Sequence, residues 1–232
     1  NILLSEKKQN NNSVSQIQKD LRLKKRPTHI ECFDNSNFQG TNPVAACDVF
    51  KNGKPSKKDY RLFNIKTIIG PDDFGSMEEV VFRRYKRLLF EKKPLPQLII
   101  VDGGKGQLSS AIKSLKKLNL YGKIAIIGIA KKLEEIYFPN DSVPLYLDKR
   151  SISLKIIQQL RNEAHRFGVN HNRKIRSKTN LTSSLDEIKG IGPKTTTLLI
   201  KHFGSVKKLM QSKITDVEEI IGKAKTKKIF NL

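Results

Sequence analysis

The stretch Thr28-His29-Ile30-Glu31-Cys32-Phe33-Asp34-Asn35-Ser36-Asn37 decides the fold. Pro27 interrupts whatever precedes it, and Ile30, Cys32 and Phe33 supply strand-favouring bulk. Asp34 falls where the apolar run gives way to a turn-forming tail, Asn35-Ser36-Asn37, closed by Gly40. This is the pattern of a strand carrying a carboxylate to the end of a sheet, where it can face a cation. An aspartate there also serves as a plain turn residue, so its meaning depends on what converges on it.

A second stretch has the same form. Leu98-Ile99-Ile100-Val101 is an unbroken apolar run, suited to a strand covered on both faces, and it ends at Asp102. Gly103-Gly104-Lys105-Gly106-Gln107 follows. A Walker loop needs Ser or Thr after its lysine, and Gly106 stands there, which argues against ATP binding. The glycines read either as close backbone approach with Lys105 near a phosphate, or as a tight turn.

Outward from these two ends, strands are expected at Thr28–Asp34, Val44–Lys51 and Tyr60–Ile65, with a hairpin signal at Asn52-Gly53 and a long polar loop through Lys58. A helix opens near Asp73 or Ser76; Ser76 and Glu79 have capping-box spacing, and Met77, Val81, Tyr85 and Leu88 form one apolar stripe. Arg83, Arg84, Lys86 and Arg87 lie off that stripe, on a face that is either solvated or turned to DNA. The next helix uses Leu108, Ile112 and Leu115, followed by a strand at Ile124–Ala130 and a hairpin over 133–147. A long helix from about Ser151 to Phe167 turns Ile156, Leu160, Ala164 and Phe167 inward and carries Arg161 and His165 together on another face.

The order predicts an α/β fold, a ribonuclease H-like mixed sheet with flanking helices. In it Asp34 and Asp102 occupy neighbouring strand ends and hold a divalent cation, Mg²⁺ or Mn²⁺ by the hardness of their oxygens. Such a cation activates water and stabilises charge on a phosphodiester. Many α/β folds end strands in Asp, so the order alone is not decisive.

Charge points to the same chemistry. Across 232 residues, 45 Lys and Arg against 22 Asp and Glu leave a net +23, which favours a polyanion and most simply nucleic acid. Ribosomal, membrane-surface and repair proteins all share that bias. Cys32 and Cys47 lack metal-type spacing and read as small buried hydrophobes, in keeping with a reducing cytoplasm. No apolar run reaches membrane-spanning length, no signal peptide is recognisable, and the start at Asn1 suggests a fragment.

Four segments are expected: a lead-in over 1–25, a nuclease domain over 26–172, a basic linker over 173–182, and a small all-α domain over 183–232. Within the last, Leu185 to Lys194 resembles a helix-hairpin-helix. Gly190 and Gly192 expose backbone N–H groups to phosphate irrespective of sequence, and Lys194 adds charge. A second hairpin centres on Ile221-Gly222-Lys223-Ala224, with Ala224 where the second glycine would fall.

Glu31-Cys32-Phe33-Asp34-x-Ser36, Gly70-Pro71-Asp72-Asp73, Val101-Asp102-Gly103-Gly104-Lys105-Gly106-Gln107-Leu108 and Arg161-Asn162-Glu163-Ala164-His165-Arg166-Phe167 closely resemble the C-terminal half of the UvrC family. The resemblance runs over about residues 26–232. It implies a metal-dependent endonuclease that makes the 5′ incision beside a DNA lesion in nucleotide excision repair. It also implies UvrB and the UvrA-loaded complex as partners of the full-length protein. Position by position, it makes Asp34, Asp102 and His165 the metal and catalytic set, with Asp73 a further acidic position and Gly222 and Lys223 part of a tandem DNA-binding module. Asn35 and Asn37 depart from it, standing where the family often carries Ile and His. The family's GIY-YIG nuclease domain and UvrB-contacting segment are not recognisable, so half an enzyme is expected. The competing reading is a non-catalytic DNA-binding protein with a degenerate nuclease fold. The joint presence of Asp34, Asp102 and His165 argues against it.

Overall fold

The structure, a computed structural model, describes residues 12–36, 44–68, 72–130, 133–186 and 188–230. Asn37, Gly40, Gly70 and Pro71 of the motifs above lie outside them. Strand β1 (His29–Ser36) runs through the middle of a seven-stranded mixed sheet. On one side it pairs antiparallel with β2 (Val44–Lys51), and on the other parallel with β5 (Leu98–Asp102). Beyond β5, β6 (Ala125–Ala130) is parallel and β7 (Glu135–Tyr137) antiparallel.

Asn52 and Gly53 make the hairpin turn with φ of 51° and 76°, the left-handed pair that suits the twist of the flanking strands. The long loop expected after it is instead a broken return strand. β3 (Lys54–Pro55) pairs with the end of β2, a 3₁₀ turn (Lys57–Asp59) steps out, and β4 (Arg61–Asn64) rejoins the beginning of β2. Asp59 pins the step by accepting from Lys51 Nζ at 2.6 Å and Ser56 Oγ at 2.7 Å.

The two-residue alternation of β1 sorts the molecule into layers. Phe33, Ile99 and Val101 pack with Met77, Val81 and Tyr85 of α2 (Asp73–Phe90) and Leu108 and Leu115 of α3 (Lys105–Lys117). Ile30, Cys32, Leu98 and Ile100 pack on the other face with Ile157 and Leu160 of α4 (Ile152–Asp186). Helix α1 (12–20), inside the expected lead-in, and the turn after it add Ile17 and Leu21 to this second core.

Helix α2 starts at Asp73 because Asp72 caps it, accepting from the backbone N–H groups of Phe74 and Gly75 at 3.0 Å each. The Ser76/Glu79 capping box is therefore not formed. Ser76 is buried, and Glu79 accepts instead from the backbone of Lys66 and Thr67. Arg84 is also not on a solvated or DNA-facing surface. It reaches inward to Glu31 of β1, with Nη2–Oε1 at 2.6 Å and Nε–Oε2 at 3.2 Å, while Tyr85 Oη donates to Oε2 at 3.0 Å. Burial alone would raise the Glu31 carboxyl, but hydrogen bonds from His29 and Arg84 and the guanidinium charge hold it below its ordinary value.

The chain forms two compact units, Asn1–Asn170 and His171–Leu232. Helix α4 does not stop near Phe167 but continues to Asp186, through the stretch expected as a linker. Residues 173–182 contain neither Gly nor Pro, so nothing local breaks a helix there even though no apolar period marks one. The second unit gathers α5 (Pro193–Phe203), α6 (Val206–Met210), α7 (Ile214–Ile221) and α8 (Lys223–Phe230) around Leu185, Ile191, Leu199, Leu209, Val217 and Ile229. Among the described residues no helix is long and apolar enough to cross a membrane.

Removing one partner of a buried ion pair strands the other charge. Arg84→Met therefore lowers stability by about 3–5 kcal/mol, measured by urea unfolding. The Glu31→Leu/Arg84→Met double variant recovers most of that loss. Because Glu31 titrates low in the fold, its contribution is complete above the ordinary carboxylate range and is lost as pH falls through its lowered value. The double variant lacks that acid-side loss.

Candidate active site

The parallel register pairs Phe33 with Val101, so the next residues, Asp34 and Asp102, follow side by side, Asp102 as the last residue of β5 and Asp34 where β1 runs on two residues past the expected end to Ser36. Both continue the alternation of Ile30, Cys32, Leu98 and Ile100 and so belong to the face covered by α4. Asp34 is 2% exposed and Asp102 4%. His165 comes from α4, its side chain 53% exposed, and its Nδ1 lies 3.0 Å from Asp34 Oδ2. Ile156, Leu160 and Ala164 bury one side of the helix and thereby present His165 at the strand ends.

Asp73 is exposed at the first residue of α2. Its carbonyl accepts from Asn35 Nδ2 at 2.8 Å, which ties the α2 start to the residue after Asp34. Asn35 was legible only as a departure from a pattern; its role as a tether depends on a contact between distant segments. Gly103 N–H donates to the Ile129 carbonyl at 3.0 Å, and Gly128 lets the loop lie against β6, since a Cβ there would come within 2.7 Å of the Gly103 carbonyl. Lys105 opens α3, but its Nζ donates to the Ser142 carbonyl at 2.8 Å and lies over the Tyr137 ring. A phosphate there would compete with both contacts. Arg161 is engaged with Glu134 at 2.7 Å.

Buried carboxylates are stabilised by a cation, hydrogen bonds or a proton. Two of them on neighbouring strand ends fit a hard divalent cation, which commonly takes one or two protein carboxylates and completes its shell with water and phosphate. Among the described residues no group of three or more His, Cys, Asp or Glu is gathered to hold a metal ion. His165 Nδ1 faces the Asp34 carboxylate.

Asp48, singled out by nothing in the sequence, lies on the same face one residue pair from the site. It opposes Cys32 on β2, is 0% exposed, and neither carboxyl oxygen has a hydrogen-bond partner. Burial, with the charges of Glu163, Glu31 and Asp34, pushes its carboxyl well above the ordinary carboxylate range.

The second unit presents the hairpin residues separately. Gly190 has φ of 98°, a conformation that disfavours a side chain, whereas Gly192 caps α5 with open space where a Cβ would be. Lys194 is exposed in the first turn of α5. Gly222, at φ 80°, joins α7 to α8, and Lys223 starts α8 with Ala224 already helical. Lys225 Nζ donates to Thr195 Oγ1 at 3.4 Å, joining the second hairpin to the first.

Residues 18–169 match the UvrC RNAse H endonuclease domain, which makes this part of the chain a ribonuclease H-like endonuclease domain. The protein named UvrABC system protein C is 67% identical to this chain in Flavobacterium psychrophilum, over 94% of this chain and 37% of the relative. In Porphyromonas gingivalis the identity is 59%, over 94% and 36%, and in Bacteroides thetaiotaomicron 45%, over 93% and 36%. The chain belongs to the UvrC family and spans little more than a third of the length of these relatives. Among solved structures, human ENDOV resembles it at 12% identity and a TM-score of 0.38, over 74% of this chain and 98% of that one. Ciona intestinalis Endonuclease V in complex with inosine-containing DNA does so at 20% and 0.36, over 62% of each chain.

A group whose folded-state proton affinity is raised stabilises the fold fully below its unfolded value, and that stability is lost as pH climbs towards the folded value. Asp48 is such a group. Asp48→Val therefore raises stability at neutral pH by about 1–3 kcal/mol, the cost of a buried unsatisfied polar group. Thermal unfolding across pH checks it: the gain shrinks towards pH 4, and a gain independent of pH contradicts the assignment.

Proposed function

We propose that this chain is the portion of a UvrC-family excinuclease that makes the metal-dependent 5′ incision beside a DNA lesion. It would act in the bacterial cytoplasm, with UvrB and the UvrA-loaded complex delivering the damaged duplex. The reading rests on one observation: two nearly buried carboxylates, Asp34 and Asp102, follow the last paired residues of adjacent parallel strands, with His165 Nδ1 3.0 Å from one of them.

Bound by Asp34 and Asp102, Mg²⁺ or Mn²⁺ would supply Lewis-acid stabilisation of the charge growing on the phosphodiester. Asp34 Oδ2 accepts from His165 Nδ1–H and so orients the ring, leaving the Nε2 lone pair to take a proton from the attacking water. Asp73 adds a carboxylate at the rim, and Asn35 holds that rim in register with β1. Residues 183–232 would grip the duplex through backbone and lysine contacts to phosphate at Gly190, Gly192, Lys194, Gly222 and Lys223, with Lys105 contributing beside Asp102.

Nicking of lesion-containing DNA by the UvrC-family protein with UvrA, UvrB and Mg²⁺ or Mn²⁺ tests the assignment. Asp34→Asn and Asp102→Asn abolish the 5′ nick and leave DNA affinity unchanged, because affinity comes mainly from basic groups. His165→Ala slows it by about 100- to 10,000-fold, the range of general acid–base contributions. Wild-type rates in either aspartate variant would falsify the catalytic reading.

Gly192→Val reports on the hairpin. Its Cβ meets no neighbour, so the module stays folded while the phosphate seat is obstructed. DNA affinity in gel-shift titrations falls by the same factor on unrelated sequences, because phosphate contacts carry no base information. Loss confined to one sequence contradicts it.

A further inference from the structure

Phe74 is a large apolar side chain left 55% exposed in the first turn of α2. It lines an open hollow of about 440 Å³ with Asp102, Gly103, Gly104, Gly106, Gln107 and Ala130. The ring lies against Gly106 in the first turn of α3, where any Cβ would collide with it. Its backbone is fixed twice: Asp72 accepts from Phe74 N–H at 3.0 Å, and Asn35 holds the Asp73 carbonyl at 2.8 Å. A pre-positioned aromatic face thus stands beside a nearly buried carboxylate, across a wall of glycine backbone.

Resting on the nuclease reading above, we propose that Phe74 is a stacking platform for one unstacked nucleobase next to the scissile phosphodiester. Every base has a π-face, so such a platform is tolerant of sequence and suits an enzyme directed by damage. Gly104 has open space where a side chain would stand, whereas Gln107 lies over Gly103 and the ring itself lies against Gly106, so the base would stack on the exposed side of the ring. The ring would hold the strand in position while Asp34, Asp102 and His165 act on the phosphate, which makes Phe74 a positioning residue.

The test compares wild type with Phe74→Ala, Phe74→Leu and Phe74→Trp, all at an exposed site where folding is preserved. Two readouts are used. One is 5′ nicking with UvrA, UvrB and Mg²⁺; the other is 2-aminopurine fluorescence at each position within two nucleotides of the nick, read on binding in an Asp102→Asn background. The proposal expects nicking to fall about 5- to 150-fold in the Ala and Leu variants, the range that base stacking contributes, with Trp near wild type. At one position fluorescence is quenched by Phe and Trp but not by Ala or Leu. An abasic nucleotide at that position slows wild type and makes Phe74→Ala no slower still. Equal quenching in all variants, or Leu matching Phe in both readouts, overturns it. If wild type quenches but never nicks, the nuclease reading fails while stacking stands; if it nicks without Phe74-dependent quenching, stacking alone fails.

Discussion

The parallel pairing of β1 with β5 is the constraint on which the rest depends. Phe33 against Val101 fixes the register, and one residue further on it places Asp34 and Asp102 together. Both strands are covered on both faces, by α2 and α3 on one side and α1 and α4 on the other. A slip of one residue would turn every side chain of β1 to the opposite face, moving Asp34 away from α4 and Glu31 away from Arg84. Burial on two sides makes such a slip prohibitively unfavourable.

Charge is distributed along β1 in an uneven way. Glu31, facing α2, is neutralised by a guanidinium held in two-point contact. Asp34, facing α4, meets an imidazole instead, a softer and titratable partner. Asp48, across from Cys32, has no hydrogen-bond partner and is held towards its neutral form. The layer with α2 is therefore electrostatically closed, whereas the layer with α4 carries an acidic concentration near the strand ends. That is where a cation and a phosphodiester would gain most from the surrounding low dielectric. On the proposed reading, the chain's net +23 would serve the opposite need, favouring a polyanion that such an acidic centre alone would repel.

The rim of the site is assembled by tethers rather than by the sheet. Asp72 sets the α2 start, Asn35 pulls that start to β1, and Gly106 and Gly128 let helix and loop approach where a side chain would intrude. Phe74 gains a defined place from these contacts, although its own side chain stays half in solvent.

Much of this was written locally. Alternating bulk in His29–Ser36, the unbroken apolar run at Leu98–Val101 and the Asn52-Gly53 pair specify strands and a turn through short-range sterics, and the two terminal aspartates follow from them. The apolar period of α4 likewise indicated that His165 sits off the buried stripe. What the sequence could not convey were pairings across long separations. Arg84 looked solvated because an apolar stripe leaves it out, yet its charge is stabilised by a carboxylate 53 residues away in the chain. Asp72 displaced Ser76 as cap, Lys105 was drawn to Ser142, and α4 ran on past its apolar period, through Gly168 and a following stretch with neither glycine nor proline. Asp48 gave no local sign at all. Short-range patterns determined the strands and their acidic ends; only the tertiary structure decided which charges are paired, because pairing depends on distances that the chain order does not contain.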